Sequence, residues 1–158
     1  MHVLFPGSFD PITLGHMDII RRASHLFDRV TVGVFQNESK HYLFTPEERL
    51  EMVKTACAPL PNVDAALDFG FVADFCQRES IPLLVRGVRG EEDLPFERMA
   101  ADFNRARGIE TVLLLANEST ADLSSTEVRR LMEENKDISP LVPPEILPFL
   151  LKKAKKER

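Results

Sequence analysis

The chain has 158 residues, of which 44% are hydrophobic and 28% are charged, and its formal net charge is −5 at pH 7. This length and composition predict a single globular domain, residues 1–158, with a sizeable core. The acidic balance argues against a nucleic-acid partner, and no apolar run approaches the roughly 20 residues of a membrane span. The first residues lack the basic and apolar regions of a signal peptide, so we expect a cytoplasmic protein without a membrane partner.

Hydrophobic periodicity in the first half predicts strands that alternate with helices. The predicted elements are a strand at 3–5, a helix at about 15–27, a strand at 30–35, a polar loop at 36–43, a helix beginning at Thr45, a strand at 62–67 and a short helix at 71–78. Thr45, Pro46 and Glu48 form a capping-box start, with proline at the first helical position. Phe71, Phe75 and the cysteines Cys57 and Cys76 are predicted to be core residues.

The second half continues the same alternation. The predicted elements are a strand at 82–85 that ends at Arg86-Gly87, a helix at about 93–107 closed by Gly108, a strand at 111–115, a helix from Ser124 to about Glu134 with a second capping box, and a last helix opened by Pro143-Pro144-Glu145 that leads into the tail 152–158. Such alternation predicts an α/β fold. We expect a Rossmann-like, doubly wound, five-stranded parallel sheet with helices on both faces.

Cationic and hydroxyl side chains follow four of the five predicted strands. The segments are 7–16 with Ser8 and His16, 37–40 with Lys40, 86–89 with Arg86 and Arg89, and 117–126 with three consecutive hydroxyls. Because ligands of such sheets bind beyond the carboxyl ends of the strands, these segments predict a phosphate site. Each group also has a simpler interpretation. His16 and the serines could be helix caps with no other role, and Lys40 could be a solvated lysine.

The chain contains neither the P-loop motif nor the Gly-x-Gly-x-x-Gly dinucleotide motif. It does contain Thr13-x-Gly15-His16 and Ser124-Ser125-Thr126-x-Val128-Arg129. This pair resembles the nucleotidyltransferase superfamily that carries a Thr/His-x-Gly-His motif. Together with Ser39-Lys40 and Arg86-Gly87-x-Arg89, in order and spacing over nearly the whole chain, it resembles the phosphopantetheine adenylyltransferase family.

That resemblance implies transfer of the adenylyl group of ATP to 4′-phosphopantetheine, by in-line attack and without a covalent intermediate. The products would be dephospho-coenzyme A and pyrophosphate, on the route to coenzyme A, with coenzyme A as a candidate feedback inhibitor. Mg²⁺ would accompany ATP, held mainly by phosphates and water rather than by protein ligands. The resemblance also implies a homohexamer.

The resemblance implies catalytic roles for His16, Lys40 and Arg86. His16 would hydrogen-bond the α-phosphate in the transition state, and Lys40 and Arg86 would hold the acceptor phosphate. The acceptor site would comprise Ser8, Lys40, Val72 and Arg86. The ATP site would comprise Ser8, Phe9, His16, Gly87, Val88, Arg89, Glu97, Thr120, Ala121, Asp122, Leu123, Ser124, Ser125 and Thr126.

Two segments depart from the family pattern. His41-Tyr42 follows Lys40 where many relatives have a second basic residue and a proline, and Pro95-Phe96 stands where an aromatic residue with a hydroxyl is common. Two other functions also remain open from the sequence. One is another small-molecule nucleotidyltransferase of the superfamily, and the other is a non-catalytic nucleotide-binding regulator on the same fold.

Overall fold

The centre of the molecule is an all-parallel sheet of five strands, seen in a computed structural model that describes residues 1–156. The strands are β1 (His2–Gly7), β2 (Arg29–Phe35), β3 (Val63–Asp68), β4 (Leu83–Val88) and β5 (Glu110–Leu115). Their order across the sheet is β3-β2-β1-β4-β5. The chain therefore winds outward from β1 to one edge and then returns to build β4 and β5 on the other side. This confirms the predicted fold class.

Helices within the described residues connect and cover the strands. They are α1 (Leu14–Leu26), α2 (Pro46–Cys57), α3 (Val72–Arg78), α4 (Leu94–Arg105), α5 (Ser125–Glu133) and α6 (Leu147–Lys156), with a 3-10 turn at Glu91–Asp93 before α4. The prediction that the last helix opens at Pro143 is wrong by four residues. The Ile146 N–H donates to the Pro143 carbonyl and the Leu147 N–H to that of Pro144, so this stretch forms turns. Of the predicted tail, Glu157 and Arg158 lie outside the described residues.

The two predicted capping boxes differ in outcome. At α2 the box is complete, because the Thr45 hydroxyl accepts from the Glu48 N–H at 3.1 Å and the Glu48 carboxylate accepts from the Thr45 N–H at 2.9 Å. At α5 only half of the box forms. The Ser124 hydroxyl accepts from the Glu127 N–H, but the Glu127 carboxylate pairs with Arg130 instead of returning to the cap.

The strands bury side chains on both faces of the sheet. Val3 and Phe5 of β1 join a large cluster with residues of α1, α2, α5 and α6, whereas Leu4 joins a smaller cluster with α3. Within the described residues, no helix is long and apolar enough to cross a membrane. The helices cover the two faces of the sheet, and loops lie at the carboxyl ends of its strands.

The predicted core residues are buried with one exception. Cys57 and Cys76 are buried, and burial raises the pKa of both thiols to about 11. Phe75 is buried, but the prediction for Phe71 is wrong, since 69% of that side chain is exposed. The reason is position: Phe71 is the N-cap residue of α3 and lines the cavity described below instead of the core.

Candidate active site

A cavity of about 930 Å³ opens at the carboxyl edge of the sheet. It is lined by the segments that follow all five strands, and it lies where β1 and β4 are neighbours and the winding direction reverses. Crevices at such reversal points are the usual ligand sites of doubly wound sheets. The predicted site residues that line it are Ser8, Phe9, His16, Lys40, Val72, Arg86, Gly87, Arg89, Glu97, Thr120, Leu123, Ser124, Ser125 and Thr126.

Three predicted site residues do not line this cavity. Val88 is buried at the end of β4, and its carbonyl accepts from the Ala116 N–H at 2.8 Å. Ala121 and Asp122 lie in the turn that the Leu123 N–H closes onto the Thr120 carbonyl. The structure therefore brings the flanks of this turn to the cavity, but not its middle.

The turn after β1 packs on the aromatic ring of Phe9. Phe9 has a positive φ of 51° and is buried. Its ring lies 5.7 Å from that of Phe5 and 4.9 Å, edge-on, from that of His16. A Cβ at Gly7 would lie 3.0 Å from the Phe9 ring, so glycine leaves the ring its space. The turn thereby places Ser8 at the cavity and supports His16 from below.

His16 is the third residue of α1 and completes a capping box with Thr13. The Thr13 N–H donates to Nδ1 of His16 at 3.0 Å, and the His16 N–H donates to the Thr13 hydroxyl at 3.3 Å. Glutamate or glutamine is the usual residue at this position of a capping box. Because Nδ1 is an acceptor here, a neutral His16 ring carries its proton on Nε2.

The electrostatic surroundings keep that ring neutral. Burial, together with the nearby Arg89 and Arg86 guanidinium groups, lowers the pKa of His16 to about 4. At neutral pH the ring is therefore a hydrogen-bond donor through Nε2–H and not a cation.

Arg86 lies within β4 and not after it, so the prediction that this strand ends at Val85 is wrong. Its side chain forms a two-point ion pair with Glu97 of α4. Nε and Nη2 each donate to one carboxylate oxygen at 2.9 Å, and Nη1 donates to the Pro6 carbonyl at 3.1 Å. Glu97 is the buried residue of α4, with 9% exposed. Such a pair fixes the plane of the guanidinium group. One further hydrogen on each of Nη1 and Nη2 is left over by these three contacts.

The charges that line the cavity balance one another. Lys40, Arg86 and Arg89 are cationic, and they are accompanied by the carboxylates of Glu38, Asp93 and Glu97. Nε of Arg89 lies 3.6 Å from Oδ2 of Asp93, and the same oxygen accepts from the Arg89 backbone N–H. Within residues 1–156, Lys40 forms no ion pair, which distinguishes it from the two arginines.

The first turn of α5 also lines the cavity. The hydroxyl of Ser124 caps the helix, and that of Ser125 donates to the Pro11 carbonyl at 2.7 Å. The second contact ties α5 to the turn after β1. The N-terminus of α5, with its partial positive charge, therefore faces the cavity beside Thr126.

Three charged residues that were not predicted as site residues hold the turn after β1 and lie outside the cavity lining. Asp10, 2% exposed, accepts from the backbone N–H groups of Leu43 and Phe44 at 3.0 and 2.9 Å. Arg129 donates to the Asp10 carbonyl at 2.7 Å, and Arg49, wholly buried, donates to the Ser8 carbonyl at 2.7 Å. A signal for Arg49 was available, since it begins the buried stripe of α2 with spacing 49, 52, 53 and 56.

Comparison with known proteins identifies relatives over most of the chain. The cytidylyltransferase-like family model matches residues 4–131. A phosphopantetheine adenylyltransferase of Psychromonas ingrahamii is 42% identical over 151 residues, covering 94% of both chains. Those of Nocardioides sp. and Thermobifida fusca are 44% and 43% identical, covering 89% and 90% of this chain and 89% and 87% of theirs. A solved structure of a proposed nicotinate-nucleotide adenylyltransferase from Vibrio parahaemolyticus superposes with a TM-score of 0.74 at 21% identity, covering 99% of this chain and 96% of its own. At that identity the likeness shows the fold alone.

Proposed function

The chain belongs to the phosphopantetheine adenylyltransferases of the cytidylyltransferase-like family, and we propose that it transfers the adenylyl group of ATP to 4′-phosphopantetheine. The products are dephospho-coenzyme A and pyrophosphate. The observation that carries this proposal is the cavity, which brings a neutral histidine donor from α1 together with Lys40 and Arg86. The family relationship does not favour a different nucleotidyltransferase or a non-catalytic regulator.

The reaction needs positioning and charge stabilisation more than proton transfer. A phosphate monoester has its second pKa near ~6, so the acceptor is largely dianionic at neutral pH and needs no general base. One of its oxygens bonds to the α-phosphorus of ATP while the bond to pyrophosphate breaks on the opposite side. The cavity carboxylates Asp93 and Glu97 are engaged with arginines, so neither of them is free to act as a base.

His16 is suited to the charge that develops on the α-phosphate. A neutral ring whose proton is held on Nε2 can donate one hydrogen bond that strengthens as the transition state forms. The ring is oriented in advance by Thr13 and by the Phe9 edge, so little reorganisation accompanies the reaction.

The two substrates have separate sets of side chains available to them. We assign the acceptor phosphate to Lys40 and to the remaining N–H groups of Arg86, with Ser8 beside them and Val72 along the pantetheine arm. We assign the ATP phosphates to Arg89 and to the N-terminus of α5. The three carboxylates of the cavity offset its three cations, so the protein alone supplies little net charge against ATP.

This balance supports Mg²⁺ as part of the ATP substrate. Residues 1–156 contain no group of three or more His, Cys, Asp or Glu side chains placed to hold a metal ion. Mg²⁺ readily keeps its waters and binds through substrate phosphates. We therefore propose that it enters with ATP and neutralises the phosphates within the cavity.

We propose a cytoplasmic homohexamer in which coenzyme A acts as a feedback inhibitor. Self-association is supported by α4, whose side chains Phe96, Met99 and Phe103 share one side of the helix by their spacing and are between 46% and 71% exposed. An apolar face of this kind is typical of a contact surface. Light scattering of the purified chain measures the mass and tests the assembly.

The experiment that tests the function is a substrate panel. Pyrophosphate release should require both ATP and 4′-phosphopantetheine, and dephospho-coenzyme A should accumulate in equal amount. CTP in place of ATP, and nicotinate or nicotinamide mononucleotide in place of the acceptor, serve as controls. Faster release with either mononucleotide, or none with phosphopantetheine, would refute the proposal.

A further inference from the structure

Lys40 lies on an exposed loop whose shape is held by contacts within the loop. We define the Lys40 loop as residues 36–43, between β2 and the start of α2. The Lys40 N–H donates to the Asn37 carbonyl at 3.0 Å. The backbone and hydroxyl of Ser39 both donate to the Asn37 side-chain oxygen, at 3.0 and 2.7 Å. The position of Lys40 therefore depends on where Asn37 is held.

Tyr42 holds Asn37 from the other end of the loop. Its phenolic oxygen accepts a hydrogen bond from the Asn37 backbone N–H at 2.8 Å. This contact closes a ring of six residues, 37–42, with Lys40 inside it. The contact therefore limits how far the loop can open.

The ring of Tyr42 packs on Arg49, which links the loop to the turn after β1. The guanidinium carbon of Arg49 lies 4.1 Å from the centre of the Tyr42 ring. Arg49 is wholly buried and donates to the carbonyls of Ser8 at 2.7 Å and Phe35 at 3.3 Å, and to the side chain of Gln36. A stacked ring both shields the cation and limits its movement.

We propose that Tyr42 is a positioning residue for the acceptor, which acts through Lys40 by holding the Lys40 loop closed over Arg49. The inference rests on the proposed function and adds to it a residue that touches no substrate in this arrangement. Lysine has a flexible four-carbon stem, so binding a phosphate costs it rotamer freedom. A loop closed in advance removes the backbone share of that cost, and the gain appears as acceptor affinity.

The kinetic test uses Tyr42→Phe, which keeps the stacked ring and loses only the oxygen that accepts from Asn37. Loss of one such hydrogen bond should raise the KM for 4′-phosphopantetheine by about two- to tenfold. The KM for ATP and kcat should stay within about twofold. His41→Ala is the matched control, because it is exposed and lies between Lys40 and Tyr42. An equal rise in both KM values, or a similar effect of His41→Ala, would overturn the proposal.

A double-mutant cycle separates positioning from a general structural role. If Tyr42 acts through the Lys40 ammonium group, Tyr42→Phe should change the acceptor KM by less than about twofold in a Lys40→Met background. Additive effects in the double variant would mean that Tyr42 acts independently of Lys40 and would contradict the mechanism.

Limited trypsin digestion tests the loop without any substrate. Cleavage after Lys40 requires the loop to open, so Tyr42→Phe should speed cleavage of the Lys40–His41 bond. Cleavage after Lys54, within α2, serves as an internal reference and should not change. An unchanged Lys40 cleavage rate would overturn the proposed loop closure even in a protein that fails the substrate panel. Failure of the panel with faster cleavage would refute the function alone.

Discussion

Replacing His16 with glutamine should separate the chemistry of this side chain from its structural role. In the structure Nδ1 of His16 accepts from the Thr13 N–H and completes the capping box of α1. Glutamine is one of the residues that normally fills this position, so its side-chain oxygen can replace Nδ1. Its amide nitrogen also carries N–H donors, but three rotatable bonds leave them without the fixed position that the planar His16 ring gives to Nε2–H. The His16→Gln variant should therefore fold normally and lose the part of the rate that depends on a donor fixed in advance.

The loss of kcat and the loss of folding stability can be measured separately. Removing one preorganised transition-state donor costs about 2.7–4 kcal/mol, or roughly 10²–10³ in kcat. His16→Ala loses the same donor and also leaves the N–H of the buried Thr13 without its partner, at a further cost of about 1–3 kcal/mol of folding stability. For a domain of this size about 1 kcal/mol corresponds to roughly 2–4 °C in Tm. We expect the alanine variant to melt several degrees below the wild type, and the glutamine variant close to it.

Pyrophosphate release at saturating ATP and 4′-phosphopantetheine gives kcat, and equilibrium binding gives the affinity for ATP. The expected pattern for His16→Ala is a loss of roughly 10²–10³ in kcat with little change in ATP affinity, and for His16→Gln a smaller loss of kcat with a Tm close to that of the wild type. Retention of kcat within about fivefold in His16→Ala, which has no side-chain donor, or a loss of ATP affinity with kcat intact, would refute the role assigned to Nε2–H. A low Tm in the glutamine variant would refute the structural half of the argument.

Further predictions concern pH, charge and the cysteines. Because the pKa of His16 is about 4, kcat/KM for the acceptor should fall at acid pH only as the acceptor phosphate is protonated, near pH ~6. A second fall near pH ~6.5 that disappears in His16→Gln would show that His16 titrates there and would contradict this. Lys40→Met should raise the KM for 4′-phosphopantetheine by about 10- to 100-fold and that for ATP by less than about threefold, and equal losses would place Lys40 elsewhere. Cys57 and Cys76, whose pKa burial raises to about 11, should resist a thiol reagent at neutral pH until the chain is denatured, and rapid labelling of the native protein would show that they are accessible.

The parts of the fold that the sequence predicted well are those with strong local signals. β-Branched runs, capping residues and the helical periodicity between them are short-range features, and parallel strands joined by helices place all carboxyl ends at one edge. That is why the sequence alone predicts that Ser8, His16, Lys40 and Arg86 converge. The same reasoning located the start of α2 to the residue, because Thr45 and Glu48 cap each other's backbone N–H groups and Pro46 suits the first helical position.

The features that sequence reasoning missed depend on contacts between distant segments. The pairing of Arg86 with Glu97 depends on how α4 crosses β4, and the turn after β1 is held by Arg49 and Arg129, which lie 41 and 119 residues from their partners. Hydrophobic periodicity in the sequence also does not predict whether an apolar side chain packs in the core or lines a cavity. Phe71 resembles a core residue in the sequence, yet it faces the cavity.

The distribution of charge explains how one cavity can serve two anionic substrates without attracting either in the wrong place. Arg86 and Arg89 each face a carboxylate, and His16 is neutral, so Lys40 is the cation of the described cavity lining that is not offset by an ion pair. Under the proposed assignment, an acceptor phosphate that enters near the Lys40 loop would meet an unpaired charge, whereas the ATP phosphates would bring Mg²⁺ and meet the N-terminus of α5. Selection of the acceptor would then depend on the geometry of the Lys40 loop more than on the number of cations. We therefore expect Tyr42, which does not line the cavity, to affect the KM for the acceptor and to leave the KM for ATP unchanged.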